Sequence, residues 1–247
     1  MRRILLFAAA SALFGSHGPR TAVRLCSFPA ITLWAWERHE DLRRLDPSRY
    51  AVAYLAETIF IGDKVSTVAR RQPLLVAPGA KLIAVVRIEA HSGHANLSDP
   101  GLPGIIAGII SAWGHDGRTA AVQVDFDATQ SQRAFYGQML RELRSRLPAQ
   151  MPLSITALAS WCAFDDWIGQ LPVDEAVPMF FRMGPEHPPA QVSGWQYPIH
   201  EPFCRGVAGV STDEAWPELS PGTRLYMFHP RPWNPIALNN LEHSLGL

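Results

Sequence analysis

The stretch AVQVDFDATQSQRAFYGQMLREL, residues 121–143, decides the fold. Its first half is an apolar run of strand length that ends on two carboxylates, Asp125 and Asp127. Its second half is an amphipathic helix with Phe135, Met139, Leu140 and Leu143 on one face, continued by Leu147. A strand that feeds straight into a helix is the repeating unit of an α/β protein. Side chains two apart on a strand share a face, so Gln123, Asp125 and Asp127 point one way and Val122, Val124 and Phe126 the other. With the apolar set against helices, both aspartates face inward. The plain alternative for Asp127 is a cap on the helix that starts near Thr129 to Ser131, since Asp, Thr and Ser all satisfy free backbone N–H groups there. Asp125, inside the strand, is poorly placed for that.

Seven more runs of strand length lie outward of this one, at residues 30–37, 50–61, 81–91, 153–161, 175–183, 206–216 and 224–233. Their continuous apolar, β-rich character is that of strands covered on both faces, as parallel strands are. Helical patterns follow the third strand at residues 104–113, the fourth, and in short form the fifth at residues 165–171. A last one, residues 236–247, closes the chain. Strand followed by helix, about eight times over, predicts a compact (β/α)8 TIM barrel, a single domain over residues 19–247. The seventh and eighth strands are too close for a full helix, so a degenerate connection is expected there. An open doubly wound sheet is the alternative, but no glycine-rich phosphate fingerprint follows any strand. Residues 185–204 are the longest aperiodic stretch. Their Trp195 and Tyr197 suggest an ordered lid or rim.

The 247 residues are 47% hydrophobic and 18% charged, which suits one sizeable core. The formal net charge is zero, and the basic stripe of a nucleic-acid binder is missing, so no nucleic-acid partner is expected. Residues 1–18, MRRILLFAAASALFGSHG, place two arginines before an apolar run from Ile4 to Phe14. That is the pattern of an export signal peptide, too short to span a bilayer; a buried N-terminal helix is the alternative. No other segment is fit to cross a membrane. An exported, periplasmic or extracellular protein is expected, where Cys26, Cys162 and Cys204 are free to form a disulfide. Cys162 with Cys204 is one of the pairings, and the sequence does not choose among them.

Barrels of this class carry their active sites at the C-terminal ends of the strands. Those ends present Glu37, Glu57, Glu89 with His91, Asp125 with Asp127, Trp161, Arg182, Asp213 with Glu214, and His229 with Trp233. Arg87 shares a face with Glu89. A guanidinium among carboxylates holds some of them ionised, and two close carboxylates push their pKa values apart, so that one serves as acid and the other as base or nucleophile. Asp125, Asp127, Asp213 and Glu214 are therefore the catalytic candidates. Glu37, Arg87, Glu89, His91, Trp161, Arg182, His229 and Trp233 are the substrate-binding candidates, the indoles as faces on which a sugar ring stacks. The plain readings are a solvated turn for Asp213 and Glu214, a charged helix face for Glu37, and core packing for the tryptophans. Glu89, His91 and His94 suggest a metal, but their spacing matches no zinc signature. No G-x-S-x-G elbow is present. No cofactor and no metal are called for.

The stretch VQVDFDATQSQRAFYGQML, residues 122–140, resembles the fourth-strand signature of glycoside-hydrolase-like TIM barrels. ALASWCAFDDW (157–167), GVSTDEAW (209–216) and YMFHPRPWN (226–234) resemble an uncharacterised bacterial family of exported proteins similar to those hydrolases. Chitinase-like barrels carry D-x-D-x-E on this strand. Asp125 and Asp127 match the aspartates, but Thr129 stands in the place of the glutamate. A threonine cannot protonate a glycosidic oxygen, so the substrate-assisted mechanism of that group is not implied. Other hydrolase barrels draw one carboxylate from the fourth strand and one from the seventh, which here gives Asp125 or Asp127 with Asp213 or Glu214. The resemblance implies an exported glycoside hydrolase-like protein acting on a polysaccharide, with a carbohydrate as its partner. A catalytically inactive carbohydrate-binding barrel and, more weakly, a metal-dependent hydrolase are the alternatives. The oligomeric state is not set by the sequence.

Overall fold

The computed structural model describes residues 24–90, 97–182 and 198–247. The leader at residues 1–18, His91, His94, Trp195 and Tyr197 lie outside the described residues. In chain order the strands are β1 (Ile31–Ala35), β2 (Glu40–Leu42), β3 (Tyr50–Ile61), β4 (Val65–Ala69), β5 (Leu74–Val76), β6 (Leu82–Ala90), β7 (Ala121–Asp125), β8 (Leu153–Leu158), β9 (Glu175–Met179), β10 (Val207–Ser211) and β11 (Arg224–Phe228). The helices are α1 (Leu102–Trp113), α2 (Arg133–Arg146), α3 (Ala159–Phe164) and α4 (Pro235–Leu245).

Eight strands, β1, β3, β6, β7, β8, β9, β10 and β11, pair in parallel in that order. β1 pairs with β3 on one side and β11 on the other, so the sheet closes on itself. This is the expected TIM barrel. The degenerate link is also observed: the chain between β10 and β11 carries no helix. Helices are missing earlier as well. β2 fills the crossing from β1 to β3, and an antiparallel hairpin from β3 to β4, followed by β5, fills the crossing from β3 to β6. The register of β3 against β6 slips between Leu55 and Glu57, a bulge that bends the strand where it leaves the barrel. The fifth apolar run ends as a strand at Leu158, not at Trp161. α3 begins at once, and residues 165–171 hold only a 3-10 turn, Ile168–Gln170.

Alternation along each strand sorts side chains into two outer layers and an interior. Val122, Val124 and Phe126 face outward with Val86 and Ile88, packed on Ile106 and Ile110 of α1 and on Phe135, Met139, Leu140 and Leu143 of α2. Leu33, Val52, Val210 and Met227 pack outward against Trp233 and Leu241. Each such buried side chain contributes about 1.5–3 kcal/mol. The interior is filled by Trp34, Ala53, Ile83, Val85, Ala121, Val177, Val207 and Tyr226. Gly209 belongs to this layer because a Cβ there would come within 2.9 Å of the Trp34 ring. A polar chain crosses the same interior. Trp34 Nε1 donates to Gln123 at 2.9 Å, Gln123 Nε2 to Ser154 Oγ at 3.0 Å, and Ser154 to Glu175 at 3.2 Å. Glu175 also receives Tyr226 OH at 2.9 Å and Arg224 at 2.7 Å. Burial raises the pKa of Glu175 against the pull of these donors.

Candidate active site

Strands β6, β7 and β8 bring four polar side chains together at their C-terminal ends. Arg87 pairs with Asp125 in register across β6 and β7. Its Nε donates to Glu89 at 2.8 Å, and its Nη1 lies 3.5 Å from Asp125 Oδ2. Thr156, two residues beyond Ser154 on the inward face of β8, donates its Oγ1 to Asp125 Oδ1 at 2.7 Å. Asp125 is 6% exposed. Burial pushes its pKa up to about 6; Thr156 and Arg87 oppose the rise, and the charges of Asp127 and Glu89 add to it. Asp127 is exposed and accepts no hydrogen bond among the described residues. Partial desolvation of its carboxyl and the charge of Glu89 outweigh Arg87 and raise its pKa as well. Asp127 does not cap the helix. Thr129 does so with Gln132, its N–H donating to Gln132 Oε1 at 2.8 Å.

A second group stands at the ends of β9, β10 and β11. Arg182 donates to Asp213 at 2.8 Å and also pairs with Glu214. Its backbone N–H donates to Glu214 at 3.2 Å. Arg182 has φ 53°, a left-handed conformation that a non-glycine side chain rarely adopts and that these contacts hold. Burial pushes the Asp213 pKa up, but hydrogen bonds from Ser211 and Arg182 overcome this and hold it below the usual value. His229 Nδ1 lies 2.5 Å from Thr212 Oγ1, and its pKa is lowered by burial and by Arg231 and Arg38. Thr212, Asp213, Trp216, His229 and Arg231, with α4, line a cavity of 240 Å³ beside this group.

The other candidates are placed differently. Glu37 accepts the backbone N–H groups of Arg71 and Gln72, each at 2.9 Å, so it pins a loop. Trp161 is buried against Trp167, with ring centroids 5.1 Å apart. Trp233 is buried too, its indole N–H on Trp34 O at 2.9 Å and its backbone N–H on Glu40 at 2.7 Å. Neither indole offers a face to a sugar, so both belong to the core and not to a stacking surface. Of Glu89, His91 and His94, the described residues contain Glu89 alone, and it is engaged by Arg87. The partly buried aromatics at the mouth are instead Trp36, Phe181 and Phe228. Phe181 and Phe228 stack with centroids 5.2 Å apart and planes 8° from parallel. Phe181 and Phe228 sit two residues beyond inward-facing Met179 and Tyr226, and the same alternation that located the aspartates would have found them. Thr156 was legible in the same way.

The closed ring of eight parallel strands defines a TIM barrel, and acidic side chains gather at the C-terminal ends of its strands. A family described as "Domain of unknown function (DUF3142)" matches residues 78–177, the span from before β6 into β9 that carries Arg87, Asp125 and Thr156. The chain superposes on a Streptomyces coelicolor protein provisionally assigned as chitinase A with a TM-score of 0.56 at 12% identity, over 88% of this chain and 97% of that one. It also matches the Bacillus cereus spore cortex-lytic enzyme SleL with a TM-score of 0.48 at 15% identity, over 74% of this chain and 51% of that one. No curated protein matches the sequence.

Proposed function

We propose that the protein is an exported glycoside hydrolase whose chemistry is centred on Asp125 and Asp127. The observation that carries this reading is the state of Asp125: a buried carboxyl at the end of the fourth barrel strand, its pKa raised to about 6 and held in place by Thr156 and Arg87. Such a group retains a proton to give to a departing glycosidic oxygen. Asp127, two residues on and facing the same way, is the companion carboxylate, exposed to an incoming substrate. Asp213 and Glu214 are less suited to chemistry than the sequence alone implies, because Arg182 engages both. In this reading they form a rim latch. Phe181, Phe228 and Trp36 supply the apolar wall on which a pyranose face rests. Export is supported by the leader pattern of residues 1–18 and by a Cys162–Cys204 disulfide.

A carbohydrate-binding barrel without turnover is the second reading, favoured by Thr129 at the place of a glutamate. Release of new reducing ends from a panel of purified polysaccharides separates the two. Wild type should turn over at least one glycan, and Asp125→Asn should lose about 100-fold or more of that rate while still binding it. Phe228→Ala should weaken binding. Binding without release establishes the second reading, and a panel that neither binds nor reacts overturns both.

A further inference from the structure

Glu89 stands two residues beyond Arg87 on β6, and both share the inward face of that strand with Ile83 and Val85. Arg87 therefore lies between two carboxylates, Glu89 along its own strand and Asp125 directly across on β7. It does not divide itself evenly. Nε donates to Glu89 Oε1 at 2.8 Å, whereas Nη1 comes no nearer to Asp125 Oδ2 than 3.5 Å, the outer limit of a hydrogen bond. The tight contact joins two partly exposed side chains, and the loose one reaches a buried carboxyl. Attraction alone would favour the reverse, because water screens a buried charge less than an exposed one. The grip of Glu89 accounts for the difference. The other groups around Asp125 are Asp127 beyond it on the same chain, Thr156 on β8 and, from α2 on the outer side of the strand, the Tyr136 hydroxyl. Thr156 donates to Oδ1 at 2.7 Å, which leaves Oδ2 as the oxygen that carries the proton.

We infer that Glu89 is a positioning residue that acts through Arg87: it draws the guanidinium aside and so leaves Asp125 Oδ2 free to hold the proton that the acid step delivers. The inference rests on the reading of Asp125 as the acid. Arg87 with Glu89 is a neutral pair, and it presents little net charge to Asp125. Without Glu89 the guanidinium is a lone cation beside a buried carboxyl, free to close on Oδ2 and to hold it ionised. Once Asp125 has given up its proton, the same guanidinium is already at 3.5 Å and needs only a small movement to meet the new charge. Glu89 touches no reacting atom in this scheme.

The test is a carboxyl-carbon NMR titration of the full chain with labelled aspartate, Asp125→Asn serving to assign the signal. Glu89→Ala should lower the titration midpoint of Asp125 by about one pH unit or more, because Arg87 is released toward it. The same substitution made in an Arg87→Met background should shift the midpoint by less than roughly half as much, since the group through which Glu89 acts is gone. Both replaced side chains are partly exposed, so the fold is expected to survive each change. Thr156→Val, which removes an observed donor to Asp125, should raise the midpoint and shows that the measurement responds. A midpoint unchanged or raised in Glu89→Ala while Thr156→Val moves overturns the inference. So does an equal shift with and without Arg87, which would mark the bare charge of Glu89 and not its hold on the guanidinium. No glycan enters the measurement: a failed titration leaves Asp125 standing as the acid, and a failed polysaccharide panel removes the acid step while the coupling of the three side chains remains as measured.

Discussion

At the scale of a single residue, Asp125 is pulled in two directions. Burial favours its neutral form, and Thr156 and Arg87 favour the ion; burial wins. Its pKa in the fold is about 6, above the ordinary 3.8. The group therefore stabilises the fold relative to its ionised form below pH 4, and that advantage is lost as pH rises toward 6 and above. The loss is on the order of 3 kcal/mol. Denaturant titrations should show Asp125→Asn gaining stability relative to wild type at pH 7.5 and no gain at pH 4. Under the proposed function the same residue is the general acid, and kcat/KM should fall above a limb near pH 6. Thr156→Val should carry that limb to higher pH, and an unmoved limb would assign the acid elsewhere. Arg182, by contrast, engages both Asp213 and Glu214, the two adjacent carboxylates at the end of β10.

At the scale of the element, the parallel strands were legible because a strand covered on both faces reads as a largely apolar run, as residues 82–86 do, with polar side chains admitted only on the inward face, as at Gln123 and Asp125. β4 and β5 escaped the reading for the opposite reason: Val65–Ala69 is exposed almost throughout and Leu74–Val76 has three residues, so neither carries a pattern. Tryptophans misled, because size and a place near a strand end do not say which side the ring turns to. Trp233 turned inward, where its backbone joins Glu40 in a knot with Arg38 and Arg70. Arg70 donates to the carbonyls of Ala35, Trp36 and Arg38, tying the link between β1 and β2 to the end of β4. Trp233→Ala should cost about 3–5 kcal/mol of unfolding free energy without changing glycan affinity, whereas Phe228→Ala should weaken glycan binding. Gly209→Ala is expected to cost about 1–3 kcal/mol by pressing on Trp34, read as a lowered denaturation midpoint.

At the scale of the molecule, the Cys162–Cys204 bond joins α3 to the turn before β10 across 42 residues. Closing a loop of that length stabilises the fold by about 4 kcal/mol in the chain-entropy account. The paired variant Cys162→Ala with Cys204→Ala should unfold at lower denaturant by about 2–4 kcal/mol, and a reducing agent should lower wild type to the same midpoint. The sequence offered this pair among others and could not select it, because the choice depends on α3 starting at Ala159, directly after β8, where the apolar run gave no sign of a turn. Among the described residues no helix is long and apolar enough to cross a membrane.

The ring also has a birth order. Ile31 lies beside both Tyr50 and Leu225, so the first stave waits for the last, and the hollow under the carboxylates cannot exist until β11 has been synthesised. Until then the earlier strands carry an open edge and an uncovered apolar face, which are the features that recruit chaperones and seed aggregates.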